Sequence, residues 1–327
     1  MIGKELKELE VAVLGAGAVA RTLSTALVRG GLIRSLRVWA RNEEVAIELR
    51  DELRGELETQ DDGRIEIRSL GDLEETVSGA ELVLLCVVDD ALEELATRVA
   101  VTYPEVEEGA VALHLSGFAS TDLLEPLADG GFATGGMHPL LSLAGTALQD
   151  KGASSPFVGA HFALGGDEIA RARARQLATA LGGLPVELAS SETARALYHG
   201  AASLLAGGTV ALFDAAERML EGALEGDQSE GRAALMGLLQ STVRNLESGA
   251  AEDVLTGPIH RGDRETVKGH LAALSELTRE ASATSSTEAL YRQVSLSILE
   301  LARRRGNPDA LTIDQIGELL SRGSNNS

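Results

Sequence analysis

Two polar residues in the stretch YHGAAS could carry acid–base chemistry. His199 and Ser203 are four residues apart, so on a helix both side chains lie on one face. A histidine gains and loses its proton near neutral pH, and the small residues around it leave room for a ligand. We therefore expect His199 to donate a proton to a bound substrate, with Ser203 beside it. The alternative is an uncharged histidine within a hydrophobic core.

A second group lies in LTGPIHRGDRETVKGHL, a glycine-containing loop that leads into a helix. Arg261 has the planar guanidinium that suits a substrate carboxylate, and Thr256 could orient the same molecule. Asp263 stands where it could cap the following helix.

Polar residues also follow three of the predicted strands. Val88 and Asp89 end one apolar run, Ser116 follows LHL, and His138 follows GGM. In open α/β sheets ligands bind beyond the carboxyl ends of the strands, so Val88 and Ser116 are expected to contact a cofactor and His138 a substrate. Alternatively, Asp89 caps the next helix and His138 folds against the backbone before Pro139.

The stretch VAVLGAGAVARTLSTAL, near the N-terminus, has the pattern of a nucleotide-binding turn. Gly15 permits the turn, Gly17 removes a side chain where a pyrophosphate approaches, and Ala20 lets the following helix lie close to the strand. Backbone amides of Ala18 and Val19 would point at the phosphates. A glycine turn without a ligand is the alternative.

The end of the second predicted strand bears on which dinucleotide binds. An NAD-binding protein normally has Asp or Glu there to hold the ribose 2′-OH, but this chain has Arg41 and Asn42. A guanidinium can grip a phosphate monoester with two N–H groups, which favours NADP(H). Alternatively, Arg41 is a solvated loop residue, Asn42 a helix N-cap, and Glu43 or Glu44 the ribose ligand.

Composition limits the partners. The 327 residues carry a formal charge of −21, which argues against nucleic acid and against an anionic membrane. No signal peptide is visible, and Cys86 is the single cysteine, so the chain is expected to be cytoplasmic. The uncharged stretch between Arg195 and Asp214 is near the length that spans a bilayer, but its Ala, Gly and polar content favours a buried helix. The six histidines show no metal-binding spacing, and we expect no metal.

Strand-like and helix-like segments alternate through the first half of the chain. Strands are predicted at 11–14, 36–39, 64–68, 81–88, 111–117, 132–137, 161–164 and 184–188. From about residue 191 every segment reads as helix, with helices at 192–221, 230–246, 264–282, 287–305 and 312–320. The chain is therefore predicted to have an α/β N-terminal Rossmann domain with an extended, mainly parallel sheet (residues 1–190) and an all-α C-terminal domain (residues 191–327). Residues 141–159 are expected to form a loop or flap, and the tail SRGSNNS to be disordered.

The motifs LGAGAVA, LHLSG, GMHPL, LYHGAAS and LTGPIHRGDRETVKGHL, in this order, resemble a known family. It is the Rossmann-like family whose C-terminal half was catalogued as a domain of unknown function, within the 6-phosphogluconate-dehydrogenase-like superfamily. Its relatives include ketopantoate reductases and pyrroline-carboxylate reductases. The resemblance implies NADP(H) and a helical domain that often forms a homodimer. The glycine loop, Arg41 and the polar residues after the strands together favour NADPH-dependent reduction of a small keto acid or imine, with ketopantoate as the first specific substrate.

The chain departs from that family at Gly207, where members usually have Asn after YHAAA and a few small residues. The Lys and Asn that better-known ketopantoate reductases use on this helix are also absent. Catalysis would then depend on His199, Ser203 or the Thr256 loop. A protein that binds NADP(H) as a sensor or scaffold, without turnover, is the alternative.

Overall fold

The structure is a computed structural model that describes residues 5–57, 66–69, 72–103, 106–143, 155–224, 228–280 and 285–322. The chain divides into two compact units, Met1–Ser203 and Leu204–Ser327. Parts of the sequence interpretation lie outside the described residues: positions 64–65 of the third predicted strand, 144–154 of the predicted flap, and 323–327 of the tail.

The first unit is built on one eight-stranded sheet. Its strands are β1 (Glu10–Leu14), β2 (Ser35–Trp39), β3 (Glu66–Ser69), β4 (Leu82–Leu85), β5 (Val111–His114), β6 (Ala133–Leu140), β7 (His161–Gly166) and β8 (Leu184–Glu187). Their order across the sheet is β3-β2-β1-β4-β5-β6-β7-β8. Strands β1 to β6 are parallel, β7 is antiparallel to β6, and β8 is parallel to β7. The predicted extended, mainly parallel sheet is confirmed.

Helices cover both faces of this sheet. They are α1 (Ala18–Arg29), α2 (Glu43–Leu57), α3 (Leu73–Val77), α4 (Leu92–Thr102), α5 (Glu125–Asp129) and α6 (Glu168–Ala180). One hydrophobic cluster joins α1, α2 and α6 to one face, and a second joins α3, α4 and α5 to the other. Strand β4, with all four residues buried, lies between the two clusters. Burial on both faces explains why its sequence, LVLL, is a continuous apolar run.

Strand β4 is shorter than the predicted 81–88. The amide of Cys86 still donates to Leu14, but β1 ends at Leu14, so β4 loses its partner there. The apolar residues after Leu85 leave the sheet, and Val88 is 68% exposed. Apolar character alone could not show where the strand pairing stops.

Within the described residues, every regular element from residue 192 onward is a helix. Its helices are α7 (Glu192–Glu221), α8 (Gln228–Ser248), α9 (Ala251–Val254), α10 (Pro258–Arg261), α11 (Arg264–Glu280), α12 (Ser285–Arg305) and α13 (Ala310–Ser321). A hydrophobic cluster that includes Val267, Leu299 and Ile316 forms the core of the second unit. Helix α7 begins and ends at the predicted residues.

The division between the units falls within α7, after Ser203, whereas the sequence placed the domain boundary after residue 190. The physical reason is that the first turns of α7 contact the sheet, since Tyr198 hydrogen-bonds to His138.

Burial of α7 also differs from expectation. Ala215 is its one buried residue within the described chain, so the predicted burial of the helix by its own domain is wrong. By length and composition, α7 is the one described helix that could cross a membrane.

Candidate functional site

The glycine loop connects β1 to α1 and requires glycine at its first position. Gly15 has φ +122°, and a Cβ there would lie 2.2 Å from the carbonyl oxygen of Cys86. Gly17 precedes the first turn of α1, and a Cβ there would meet nothing within 4 Å. Ala20 is fully buried, as close packing of helix on strand requires. Gly15 is therefore fixed by packing, whereas Gly17 faces open space.

A cavity of about 400 Å³ opens over this loop. It is lined by residues 15–17, by 39–42 after β2, by 86–88 after β4, and by one side of α4. All three segments follow the carboxyl ends of parallel strands, where the sequence predicted a ligand. Val88 lines this cavity, and Ala18 and Val19 form the first turn of α1 beside it.

Positive charge in this cavity comes from two arginines. Arg41 is exposed and has neither a hydrogen bond nor an ion pair with the described part of the chain. Asn42 caps α2, because its side chain accepts the amide of Glu44 at 3.0 Å. The guanidinium of Arg98 lies 5.3 Å from the ring centre of Trp39. The N-cap alternative for Asn42 is thus confirmed, while Arg41 stays available to a ligand.

These features fit a dinucleotide with a 2′-phosphate. The open space at Gly17 and the amides of Ala18 and Val19 suit a pyrophosphate. Arg41 suits the additional phosphate, since its charge is not neutralised by any described carboxylate within ion-pair distance. Glu43 and Glu44, the alternative ribose ligands, do not line the cavity.

A second cavity, of about 180 Å³, lies beside the ends of β5, β6 and β8. His114, the last residue of β5, is 3% exposed. Neither ring nitrogen makes a hydrogen bond of good geometry within the described residues, although the backbone of Ser116 lies close enough to act on the ring. Burial lowers the pKa of His114 to about 4, while the negative charge of Asp89 partly opposes the shift. His114 is therefore uncharged at neutral pH.

His138 and Tyr198 form a hydrogen-bonded pair in the same cavity. The Nδ1 atom of His138 lies 2.8 Å from the Tyr198 hydroxyl, with the rings edge to face. Burial, and then the neighbouring His199, lower the pKa of His138 to about 4. Burial raises the pKa of Tyr198 to about 12. At neutral pH the pair therefore consists of an uncharged imidazole and a protonated phenol.

Each of these histidines lies against a glycine: His114 against Gly136 of the neighbouring strand β6, and His138 against Gly117 in the loop after β5. A Cβ on Gly117 would come within 2.8 Å of the His138 ring, and a Cβ on Gly136 within 2.8 Å of the His114 ring. This close approach explains why LHLSG and GGMH both combine glycine with histidine.

The predicted proton donor lies beside this pair without lining the cavity. His199 is exposed, and its ring centre is 6.5 Å from that of His138 and 6.1 Å from that of Phe118. Ser203, one turn further along α7, is also exposed. The structure brings His138 and His199 together, and the roles of His199 and Ser203 stay predictions.

Two further predicted residues, Thr256 and Arg261, lie in the second unit. Both are exposed, and Arg261 is the last residue of α10. Asp263 accepts the amide of Thr266 at 3.1 Å and caps α11, as predicted. The substrate contacts of Thr256 and Arg261 stay predictions.

Ser116, predicted to contact a cofactor, lines the smaller cavity. Its hydroxyl oxygen accepts hydrogen bonds from the backbone amides of Phe118 at 3.1 Å and Ala119 at 2.9 Å. Ser116 therefore stabilises the turn in which it lies.

Asp89 is the first residue of a short 3₁₀ turn whose N-cap is Val88, and Ala91 is the N-cap of α4, so Asp89 does not occupy the N-cap position that the capping alternative expected.

The sequence analysis missed His114 and Tyr198 as site residues. A histidine that ends the buried run VALH was a usable signal, whereas nothing local marked Tyr198 apart from its place next to His199.

No group of three or more His, Cys, Asp or Glu side chains in the described ranges could hold a metal ion.

Two family matches together cover most of the chain, and the second begins just before β7, within the first compact unit. Residues 3–139 match the Rossmann-like domain family, and residues 160–298 match a family described as domain of unknown function DUF2520. The predicted resemblance to a Rossmann-like family with a C-terminal domain of unknown function is therefore confirmed. No curated protein matches the chain significantly.

Several solved structures share this fold at low sequence identity. A candidate NADP oxidoreductase of Bacteroides fragilis is 22% identical, with a TM-score of 0.67 over 90% of this chain and 98% of its own. Pyrroline-5-carboxylate reductase of Coxiella burnetii is 15% identical, with a TM-score of 0.55 over 86% and 98%. A reductive aminase of Aspergillus terreus is 16% identical, with a TM-score of 0.53 over 97% and 93%.

Proposed function

We propose that the protein is an NADP(H)-dependent oxidoreductase that reduces a small carbonyl or imine compound bearing a carboxylate. The observation that carries the proposal is the His138–Tyr198 pair, held in a polar cavity of the same compact unit as the glycine loop. Arg41 at the larger cavity supports NADP(H) over NAD(H). The folds of an NADP oxidoreductase candidate and of a reductive aminase solved with NADPH agree with this choice. Ketopantoate is the first specific substrate to test.

Reduction of a C=O or C=N bond needs a hydride at carbon and a proton at oxygen or nitrogen. A reduced nicotinamide, when bound, supplies the hydride. The chain supplies the proton, and Tyr198 carries one at neutral pH, since its pKa, raised by burial, is about 12. With its proton on Nδ1, uncharged His138 donates to the phenol oxygen, and the hydroxyl proton of Tyr198 is then free for the substrate. This assignment replaces His199 as the preferred donor, because His199 does not line the cavity.

The test is a substrate-dependent fall in NADPH absorbance with ketopantoate, pyrroline-carboxylate and related keto acids. We expect turnover with at least one of them, and a loss of about 10²- to 10⁴-fold in kcat for Tyr198→Phe, the usual contribution of a positioned proton donor. Tyr291→Phe is a matched control, because Tyr291 makes the same 2.8 Å hydrogen bond to a histidine, His270, in the second unit. It should leave kcat unchanged.

NADPH binding without turnover across this panel would contradict the enzyme proposal. Together with a partner captured only in the presence of NADPH, it would support the sensor alternative suggested by Gly207.

A further inference from the structure

Two arginines reach the smaller cavity without a carboxylate partner. Arg171 of α6 donates to the carbonyl of Gly166 at 2.9 Å, and Arg195 of α7 donates to the carbonyl of Ser190 at 2.6 Å. Neither forms an ion pair with any carboxylate in the described residues. Backbone carbonyls fix the direction of both side chains but leave their charges uncompensated.

Several polar atoms around this cavity also lack a partner. Within the described residues, the Nε of Arg195 is buried without a hydrogen bond, and neither ring nitrogen of His114 makes one of good geometry, although the backbone of Ser116 lies close to the ring. Both side chains line this cavity, and the positive charge of Arg195 contributes to the lowered pKa of His114. Buried polar groups in folded proteins are almost always hydrogen-bonded, so these atoms indicate a ligand that completes them.

The nearby negative charges do not neutralise these arginines. Glu187 lines the cavity but pairs with Arg175 at 2.5 Å. Asp122 also lines it, and accepts the hydroxyl of Ser120 at 2.8 Å. Asp89 is near enough to act on His114 and His138, and it is exposed. In a chain of net charge −21, two arginines left without carboxylate partners beside a cavity are an anion-binding feature.

We propose that Arg195 and Arg171 bind the carboxylate of the substrate in this cavity, with the His114 ring hydrogen-bonded to the same molecule. The ligand class is a short 2-oxo or 2-imino acid, because a volume of about 180 Å³ is below the roughly 300–1,000 Å³ of pockets for drug-sized ligands. The inference rests on the proposed function, and it moves the carboxylate contact from Arg261 to residues of the first unit. A guanidinium can bind a carboxylate through two parallel hydrogen bonds. We assign the main role to Arg195 because its buried Nε has no hydrogen bond within the described residues.

The experiment measures binding without turnover. Oxamate is a stable isostere of a 2-oxo acid, and oxamide is its uncharged counterpart. Titration calorimetry on the full chain, in the presence of NADP⁺, should show millimolar or tighter binding of oxamate and none of oxamide.

Charge-removing variants locate the site. Arg195→Gln should weaken oxamate binding about 10- to 150-fold, as expected for loss of a charge-assisted contact, and Arg171→Gln should weaken it less. Arg195→Lys should bind oxamate more tightly than Arg195→Gln and less tightly than the wild type, since lysine keeps the charge but lacks the planar pair of N–H donors. Arg34→Gln is the matched control: Arg34 is an exposed arginine of the same unit, and its partner Glu10 stays paired with Arg37 at 2.6 Å. It should bind oxamate like the wild type.

Each other outcome would overturn the inference. These are binding of oxamide as tight as that of oxamate, no detectable oxamate binding in the millimolar range, an unchanged affinity in Arg195→Gln, or an equal loss in Arg34→Gln. The oxamate and oxamide comparison uses the wild-type chain and so holds even if a variant fails to fold. Failure of the proposed function would instead appear as oxamate binding with no NADPH oxidation by any keto acid.

Discussion

At the scale of single residues, His114 and His138 differ most from solvated side chains. Burial lowers the pKa of each to about 4, against 6.5 for an ordinary histidine. Between these values the unfolded chain binds protons that the folded chain does not. The stability that the two uncharged rings contribute is therefore present above about pH 6.5 and lost as the pH falls toward 4.

This gives a pH dependence that urea denaturation can measure. The free energy of unfolding should fall between pH 6.5 and pH 4, by up to about 1.4 kcal/mol per pH unit for each histidine. His114→Gln should flatten the slope, whereas the same change at the exposed His161 should not. Hydrogen bonds from Thr266 and Thr312 hold the pKa values of Asp263 and Asp309 below 3.8. The stability that these two carboxylates contribute is therefore lost below pH 3.8, outside the range of this measurement. An equal slope in wild type and His114→Gln would show that the ring is not kept uncharged by the fold.

At the scale of elements, the sequence predicts what depends on neighbouring residues. The glycine loop, the caps at Asn42 and Asp263, and the ends of α7 all follow from local spacing and were found in place. The reversed direction of β7 and the end of β4 depend on which strand lies alongside, and no local pattern encodes that. The same distinction between local and long-range features applies to the residues of the site. Residues around the larger cavity were identified, but His138 and Tyr198 meet across 60 positions of sequence.

At the scale of the whole molecule, the exposed apolar side chains of the helical region are unusual for a monomer. Leu204, Leu205 and Val210 of α7 are each more than two-thirds exposed, and Leu238 of α8 is nearly as exposed. Apolar patches of this kind mark interfaces, and closed two-fold dimers are the commonest assembly. We predict that a second copy of the chain covers these side chains, as the sequence resemblance implies.

Light scattering in detergent-free buffer tests this assembly. A homodimer has twice the 34.2 kDa mass of the chain. Leu205→Glu should shift the mass toward the monomer, because a charge would be buried in the interface. Leu311→Glu, at a leucine that is 67% exposed on α13, should not. A wild-type mass of one chain at micromolar concentration would contradict the prediction, and a requirement for detergent would point to the membrane-length character of α7.

The proposal that the glycine loop and Arg41 hold NADP(H) is tested most directly by comparing NADPH with NADH. Trp39, the single tryptophan of the chain, lines the larger cavity, so its fluorescence reports binding. Arg41→Ala removes a charge-assisted contact to the 2′-phosphate, worth roughly 1.5–3 kcal/mol. NADPH affinity should therefore fall about 10- to 150-fold while NADH affinity barely changes.

Two further variants make the result specific. Arg50→Ala, on α2 and paired with Asp51 at 2.7 Å, should change neither affinity. Gly17→Val should abolish binding of both cofactors without unfolding the chain, since its side chain would enter open space where a pyrophosphate lies. The predicted result is a loss of NADPH selectivity in Arg41→Ala alone. Equal weakening of both cofactors in Arg41→Ala, or full binding by Gly17→Val, would contradict it.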